Sequence, residues 1–134
     1  MEDGYYQNTR PEIYEIVPKT VQRVLEIGCA AGCFRLNFHD SVEYWGVEPV
    51  REVAEQAAMK NIKVLFGTYD AVVGQIPNGY FDAIVCNDVI EHIKDTEQFL
   101  FSLKSKLRPQ GVILGSIPNV RFWGNIVNLL IKRD

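Results

Sequence analysis

A chain of 134 residues fits one domain built around one core. It is 47% hydrophobic and 23% charged, an ordinary globular composition, and its net charge of −3 with no Lys/Arg block argues against an electrostatic nucleic-acid binder. No apolar run is long enough to cross a membrane, and the polar start MEDGYYQNTR has no signal-peptide core, so a cytoplasmic protein without a membrane partner is expected. The odd cysteine count (Cys29, Cys33, Cys86) argues against a disulfide framework and for a reducing compartment. No second Cys/His pair completes a four-ligand site around Cys29 and Cys33, so small buried thiols and no metal are expected.

Residues 1–9 offer only Tyr5 and Tyr6 as large apolar groups. Arg10-Pro11-Glu12 opens a helix with Pro11 in its first turn, Ile13, Ile16 and Val17 as its stripe, and Pro18 as its end. Val21 to Ile27 is a first strand, apolar on both faces except at Glu26, and so expected to be central. It breaks into Gly28-Cys29-Ala30-Ala31-Gly32, and a helix is expected from there through Phe38. Tyr44 to Glu48 is the second strand, and Pro49 leads into a helix over 50–60 with Val53, Ala54, Ala57 and Ala58 inward. Ile62 to Phe66 is the third strand, followed by a short helix around Asp70 to Gln75 and a turn at Pro77-Asn78-Gly79. Phe81 to Asn87 is the fourth strand, and 88–93 is a loop at its carboxyl end. Asp95 caps a helix from Thr96 to Leu107, with Phe99, Leu100, Leu103 and Leu107 inward. Arg108-Pro109-Gln110-Gly111 is a turn, Val112 to Ile117 the fifth strand, and Arg121 to Lys132 a last helix.

Strands alternating with helices imply right-handed crossovers and an α/β fold, an open parallel sheet with helices on both faces. Ligands of such sheets sit at the carboxyl ends of the strands. Gly28, Glu48, Gly67 and Asn87 all fall at those ends. The turn after the first strand is expected to present helix amides to a ligand. Glu48 lies 20 residues after Gly28, a spacing at which a carboxylate can accept hydrogen bonds from the ribose hydroxyls of a nucleotide cofactor. The dinucleotide fingerprint needs glycine at its first, third and sixth positions; here these are Gly28, Ala30 and Cys33.

Gly28-x-Ala30-x-Gly32 instead resembles the E/D-x-G-x-G-x-G turn of class I S-adenosylmethionine-dependent methyltransferases, with Ala30 departing at the middle glycine. Phe81-Asp82-Ala83-Ile84-Val85-Cys86-Asn87-Asp88-Val89-Ile90-Glu91-His92 is similar to the family's FD-x-V-x-x-x-x-V-x-EH segment, and Leu107 to Gly111 resembles its L-K-P-G-G turn. The likeness runs from about Tyr5 to the end and is nearest to the ubiquinone- and menaquinone-pathway enzymes. It implies a three-layer, Rossmann-like sheet of order 3-2-1-4-5 in a single domain, residues 1–134, with S-adenosylmethionine as cofactor. It places Gly28, Cys29, Ala30 and Gly32 along the methionine part, with Arg10 on the cofactor carboxylate. Glu26 steadies the turn and faces the sulfonium side through water. Glu48 holds the ribose, with Pro49 and Val50 against the adenine. Gly67-Thr68 replaces the family's Gly-Asp near the adenine, leaving Asp70 as a substitute, and Asn87 and Asp88 pass near the methionine. Tyr5 or Tyr6 would cover the site. His92 reads first as a residue that caps or packs at a helix entrance and second as a general base.

The family's sheet closes with an antiparallel hairpin, and with a helix at residues 121–132 that hairpin would be missing, as in a chain truncated at its C-terminus. Phe122, Trp123, Ile126, Val127, Leu129, Leu130 and Ile131 would surround such a helix, and the fifth strand would keep an open edge. Both surfaces point to a homodimer. The function expected is methyl transfer to a small-molecule acceptor. A non-catalytic cofactor-binding or assembly module and a NAD-dependent oxidoreductase domain are the alternatives.

Overall fold

In the computed structural model, the described residues are 9–87, 95–118 and 126–133. Six strands form one sheet in the order β3-β2-β1-β4-β5-β6: β1 (Arg23–Ile27), β2 (Glu43–Glu48), β3 (Lys63–Phe66), β4 (Phe81–Asn87), β5 (Leu107–Pro118) and β6 (Ile126–Lys132). β1 to β5 are parallel and in the expected order 3-2-1-4-5. β1 is central and its last four residues are buried, as a strand covered on both faces must be.

Alternation along the strands divides the core in two. Leu25, Ile27, Val47 and Ile84 point to one face, where α3 (Tyr69–Val72) and α4 (Thr96–Lys106) pack through Tyr69, Val72, Phe99 and Leu103. Val24, Tyr44, Ala83 and Val85 point to the other, where α1 (Pro11–Tyr14) and α2 (Arg51–Ala58) contribute Ile13 and Ala57. Asp95 caps α4 as its sequence requires, accepting from the Gln98 amide at 3.0 Å.

Three expectations are corrected. The segment after the glycine turn is a 3₁₀ turn, Cys33–Asn37, rather than a helix through Phe38. Phe34 and Phe38 are buried there while Leu36 is 63% exposed. Arg108 to Gly111 lie inside β5 as a bulge: Phe81 pairs with Leu107, but Ala83 pairs with Val112, and Gln110 takes φ 73°.

The third correction is the carboxyl end. Ile126 to Lys132 is a strand, antiparallel to β5 from Val112↔Lys132 to Pro118↔Ile126. The run is rich in branched residues and pairs with β5 rather than coiling. The antiparallel sixth strand expected to be missing is thus present, and the fifth strand has no open edge. The homodimer expectation rested on those two surfaces, and neither has the form assumed. Residues 119–125 of the expected helix, with Phe122 and Trp123, lie outside the described residues.

Candidate cofactor site at the carboxyl ends of the strands

The register decides what meets at the ends of β1, β2 and β4. Val24 pairs with Tyr44, Glu26 with Gly46 and Glu26 with Val85. Side chains two apart share a face, so Glu26, Glu48 and Asn87 project on the same side of the sheet, beside the Gly28 turn.

The turn itself is tightly built. Gly28, Ala30 and Gly32 take φ of 71°, 50° and 87°. A Cβ on Gly32 would come within 2.6 Å of the Ile62 side chain, so the turn packs directly on the β3 side of α2. A Cβ on Gly46 would sit 2.6 Å from the Cys29 sulfur; Gly46 is the space that Cys29 fills. The amides of Gly28 and Cys29 donate to the Val47 carbonyl at 2.7 and 3.1 Å, and that of Gly32 to Cys29 at 2.9 Å. The Ala30 amide donates to Glu48 Oε1 at 2.8 Å. These four N–H groups are therefore committed within the protein. The turn offers a ligand close approach.

Glu48 does more than the sequence suggested. Its Oε1 holds Ala30 and its Oε2 accepts from the Val50 amide at 3.0 Å, so one buried carboxylate ties the turn to the start of α2. Each oxygen retains a second lone pair for a ligand hydroxyl. Beyond it, Val50 is 45% and Phe66 48% exposed, with the Arg51 guanidinium 4.5 Å over the Phe66 ring. These residues, with exposed Pro49 and half-buried Gly67 at φ 143°, form an apolar ledge past the ends of β2 and β3. The Thr68 hydroxyl caps α3, accepting from the Ala71 amide at 3.3 Å, and Asp70 is exposed in the first turn of that helix.

Glu26 is 4% exposed and accepts from the Tyr44 hydroxyl at 2.7 Å. Burial is the largest influence on its carboxyl; the Glu48 charge adds to it, while the Tyr44 bond and Arg10 oppose it, and the pKa is pushed up to about 8. Burial likewise pushes up the thiols of Cys29, Cys33 and Cys86, leaving them protonated and inert. Arg10 sits at the N-cap of α1 with φ 50° and its side chain 14% exposed, within electrostatic reach of Glu26 and 3.6 Å from Glu12.

Asn87 ends β4, one residue past the Ile27↔Cys86 pair and therefore level with Gly28. Its Nδ2 and Oδ1 are both buried with no hydrogen-bond partner among the described residues. A buried amide with no partner costs stability unless something satisfies it. Two carboxyls, one arginine and an unsatisfied amide around a turn of close approach fit a ligand carrying positive charge, hydroxyls and polar termini. Asp88, His92, Tyr5 and Tyr6 lie outside the described residues. Sequence reasoning missed Arg35: its buried guanidinium donates to the carbonyls of Phe38, His39, Asp40, Val42 and Asn61 and locks the loop behind the turn. Among the described residues, no cluster of three or more His, Cys, Asp or Glu could hold a metal.

Sheet order, turn and strand-end residues together define a three-layer α/β domain of the Rossmann-like class. Within that class the chain belongs to the Methyltransferase domain family, whose pattern it matches over residues 5–132. It is 30% identical over 105 residues to the mitochondrial ubiquinone biosynthesis O-methyltransferase of Schizosaccharomyces pombe, covering 72% of this chain and 38% of that protein. A putative S-adenosylmethionine dependent methyltransferase from Listeria monocytogenes superposes with a TM-score of 0.73 at 16% identity, covering 86% of this chain and 56% of that one. The plantazolicin methyltransferase, solved with S-adenosylhomocysteine, superposes with a TM-score of 0.66 at 18% identity, covering 75% and 40%. Both structural likenesses bear on the fold. The chain spans about half the length, or less, of these relatives.

Proposed function

We propose that the chain is the cofactor-binding core of an S-adenosylmethionine-dependent methyltransferase that acts on a small-molecule acceptor, with residues 1–134 as one domain. The observation that carries this reading is the convergence of Glu26, Glu48 and Asn87, whose amide has no partner among the described residues, on one face beside the Gly28 turn, in a chain of the methyltransferase family. Gly28, Cys29, Ala30 and Gly32 lie along the methionine part, with Arg10 toward its carboxylate and Asn87 satisfied by its polar end. Glu48 accepts the ribose hydroxyls on its remaining lone pairs. Pro49, Val50, Gly67, Thr68 and Asp70 border the adenine.

Bound S-adenosylmethionine supplies a methyl group on a positively charged sulfur, which departs as a neutral thioether. The protein's part is positioning and water exclusion, which by themselves account for large accelerations. Two carboxyls, Glu26 and Glu48, beside the turn match the cationic donor. The leaving group needs no proton, so no residue here is assigned as a catalytic acid or base. The net charge of −3 favours a small molecule over nucleic acid as acceptor. Three buried thiols suit a cytoplasmic setting, although the S. pombe relative carries a mitochondrial name.

Calorimetric titration with S-adenosylmethionine, S-adenosylhomocysteine and NAD tests the reading. The first two should bind and NAD should not. Glu48→Ala should weaken S-adenosylmethionine by about 1–3 kcal/mol, the scale of charge-assisted hydrogen bonds. Preference for NAD would point to the oxidoreductase alternative, and unchanged affinity in the variant would remove Glu48 from the ribose site.

A further inference from the structure

The part of the site that methyl transfer leaves unexplained is the carboxyl of Glu26. It is buried at the penultimate position of β1, where a hydrophobic residue would suit the core. Around it stand Tyr44 and Glu48 from β2, Cys29 and Cys33 from the turn and Arg10 from the segment before α1, and the Cys86 thiol of β4, on the other face of the sheet, is within its electrostatic reach. The Tyr44 hydroxyl and the three thiols are held protonated by burial, Tyr44 with a pKa raised well above its usual value. Among the described residues, the Arg10 cation favours the ionised Glu26 carboxyl and the Glu48 charge opposes it, while the Arg35 guanidinium lies behind them, 5.4 Å over the Tyr44 ring.

We infer that Glu26 is the charge switch of the site: it keeps its proton in the ligand-free protein, releases it to solvent when a cationic ligand occupies the turn, and thereby favours the sulfonium cofactor over its neutral thioether product. This rests on the reading of the chain as an S-adenosylmethionine binder. S-adenosylmethionine carries a net positive charge and S-adenosylhomocysteine none, so the two differ in the charge they place before the two carboxyls. Bringing a cation to a desolvated carboxyl favours its ionised form, whereas a ligand with no net charge does so less. Burial holds the carboxyl in its neutral form at neutral pH without the ligand, which leaves a proton to be lost. The exchange moves one proton from Glu26 to solvent and makes or breaks no other bond. After transfer the cation is gone, Glu26 regains its proton, and the product is held less tightly than the donor was.

Titration calorimetry on the whole chain, in two buffers of different ionisation enthalpy at pH 7, counts the protons released. S-adenosylmethionine should release roughly one proton more than S-adenosylhomocysteine, a group with a pKa near 8 being about 90% protonated at pH 7. Its affinity should rise by up to about tenfold per pH unit from pH 6 to about 8 and then level off, with a shallower rise for the product. Glu26→Gln should bind both ligands, abolish the difference in proton count and flatten the excess slope; release from the ligands' own amines would persist. Equal proton counts and slopes for the two ligands in the unmodified protein would overturn the switch while leaving the cofactor reading standing, whether or not the variant folds. Absence of binding by either ligand at every pH would overturn both.

Discussion

Glu26 also makes a prediction about stability that needs no ligand. Its carboxyl moves from a usual pKa of 4.5 to about 8 on folding. A raised carboxyl pKa means that the native state keeps a proton that the unfolded chain has lost. Its effect on stability is therefore absent below pH 4.5, grows as a loss while pH rises, and is complete above pH 8. The slope is about 1.4 kcal/mol per pH unit, and from pH 5 to pH 8 the loss amounts to roughly 3 kcal/mol. Glu26→Gln keeps the shape and an oxygen for the Tyr44 hydroxyl but has no proton to lose. Urea unfolding of both proteins at pH 5, 6, 7 and 8 reads the difference in stability at each pH. Burying the new amide adds an offset of about 1–3 kcal/mol that does not change with pH. Glu43, whose carboxyl is held below its usual value chiefly by the Trp45 and Tyr80 hydrogen bonds, contributes equally to both proteins and cancels. The variant should gain roughly 3 kcal/mol on the unmodified protein across that range. A difference that stays constant with pH would show that Glu26 is ionised in the native state, and the reasoning would fail.

Asn87→Ala should leave unfolding free energy unchanged or raise it, because an unsatisfied buried amide is removed, while S-adenosylmethionine affinity drops by about tenfold; a loss of stability with unchanged affinity would assign Asn87 to the core instead. Gly46→Ala puts a methyl group 2.6 Å from the Cys29 sulfur and should cost about 1–3 kcal/mol by urea unfolding, with weaker cofactor binding because the turn must shift; a neutral substitution would contradict the packing described. Arg35→Met strips five carbonyls of a buried donor and should cost about 3–5 kcal/mol, read by the same assay; a cost below about 1 kcal/mol would mean that water replaces the guanidinium without penalty.

The strands were legible where burial writes directly into composition. β1 and β4 are short apolar runs because both faces of a central parallel strand are covered, and Phe81–Asn87 was read to the residue. β6 is not legible because a short branched run carries no period that separates strand from helix, and what decides the matter, the pairing of Val112 to Pro118 with Ile126 to Lys132, is long-range. The apolar Phe34, Leu36 and Phe38 recur at an interval of two, which carries no helical period, and the left-handed Gly32 before them and the extended Phe38 leave room only for a 3₁₀ turn. At the site, Gly28, Glu48 and Asn87 could be placed because strand ends follow from strand positions. The use of Glu48 to hold Ala30 and Val50 could not, because it depends on the separation between two loops. Nor could the Tyr44–Glu26 bond, which depends on cross-strand register, or the role of Arg35, since a single arginine between apolar neighbours reads as one that reaches solvent.

The most direct test of the central claim is a crystal structure of the chain grown with S-adenosylhomocysteine. The account predicts the nucleoside ribose on Glu48, the amino-acid end within hydrogen-bond distance of Asn87, and the thioether beside the Gly28–Gly32 turn. A ligand bound anywhere else, or an Asn87 amide still without a partner beside a bound ligand, would contradict it.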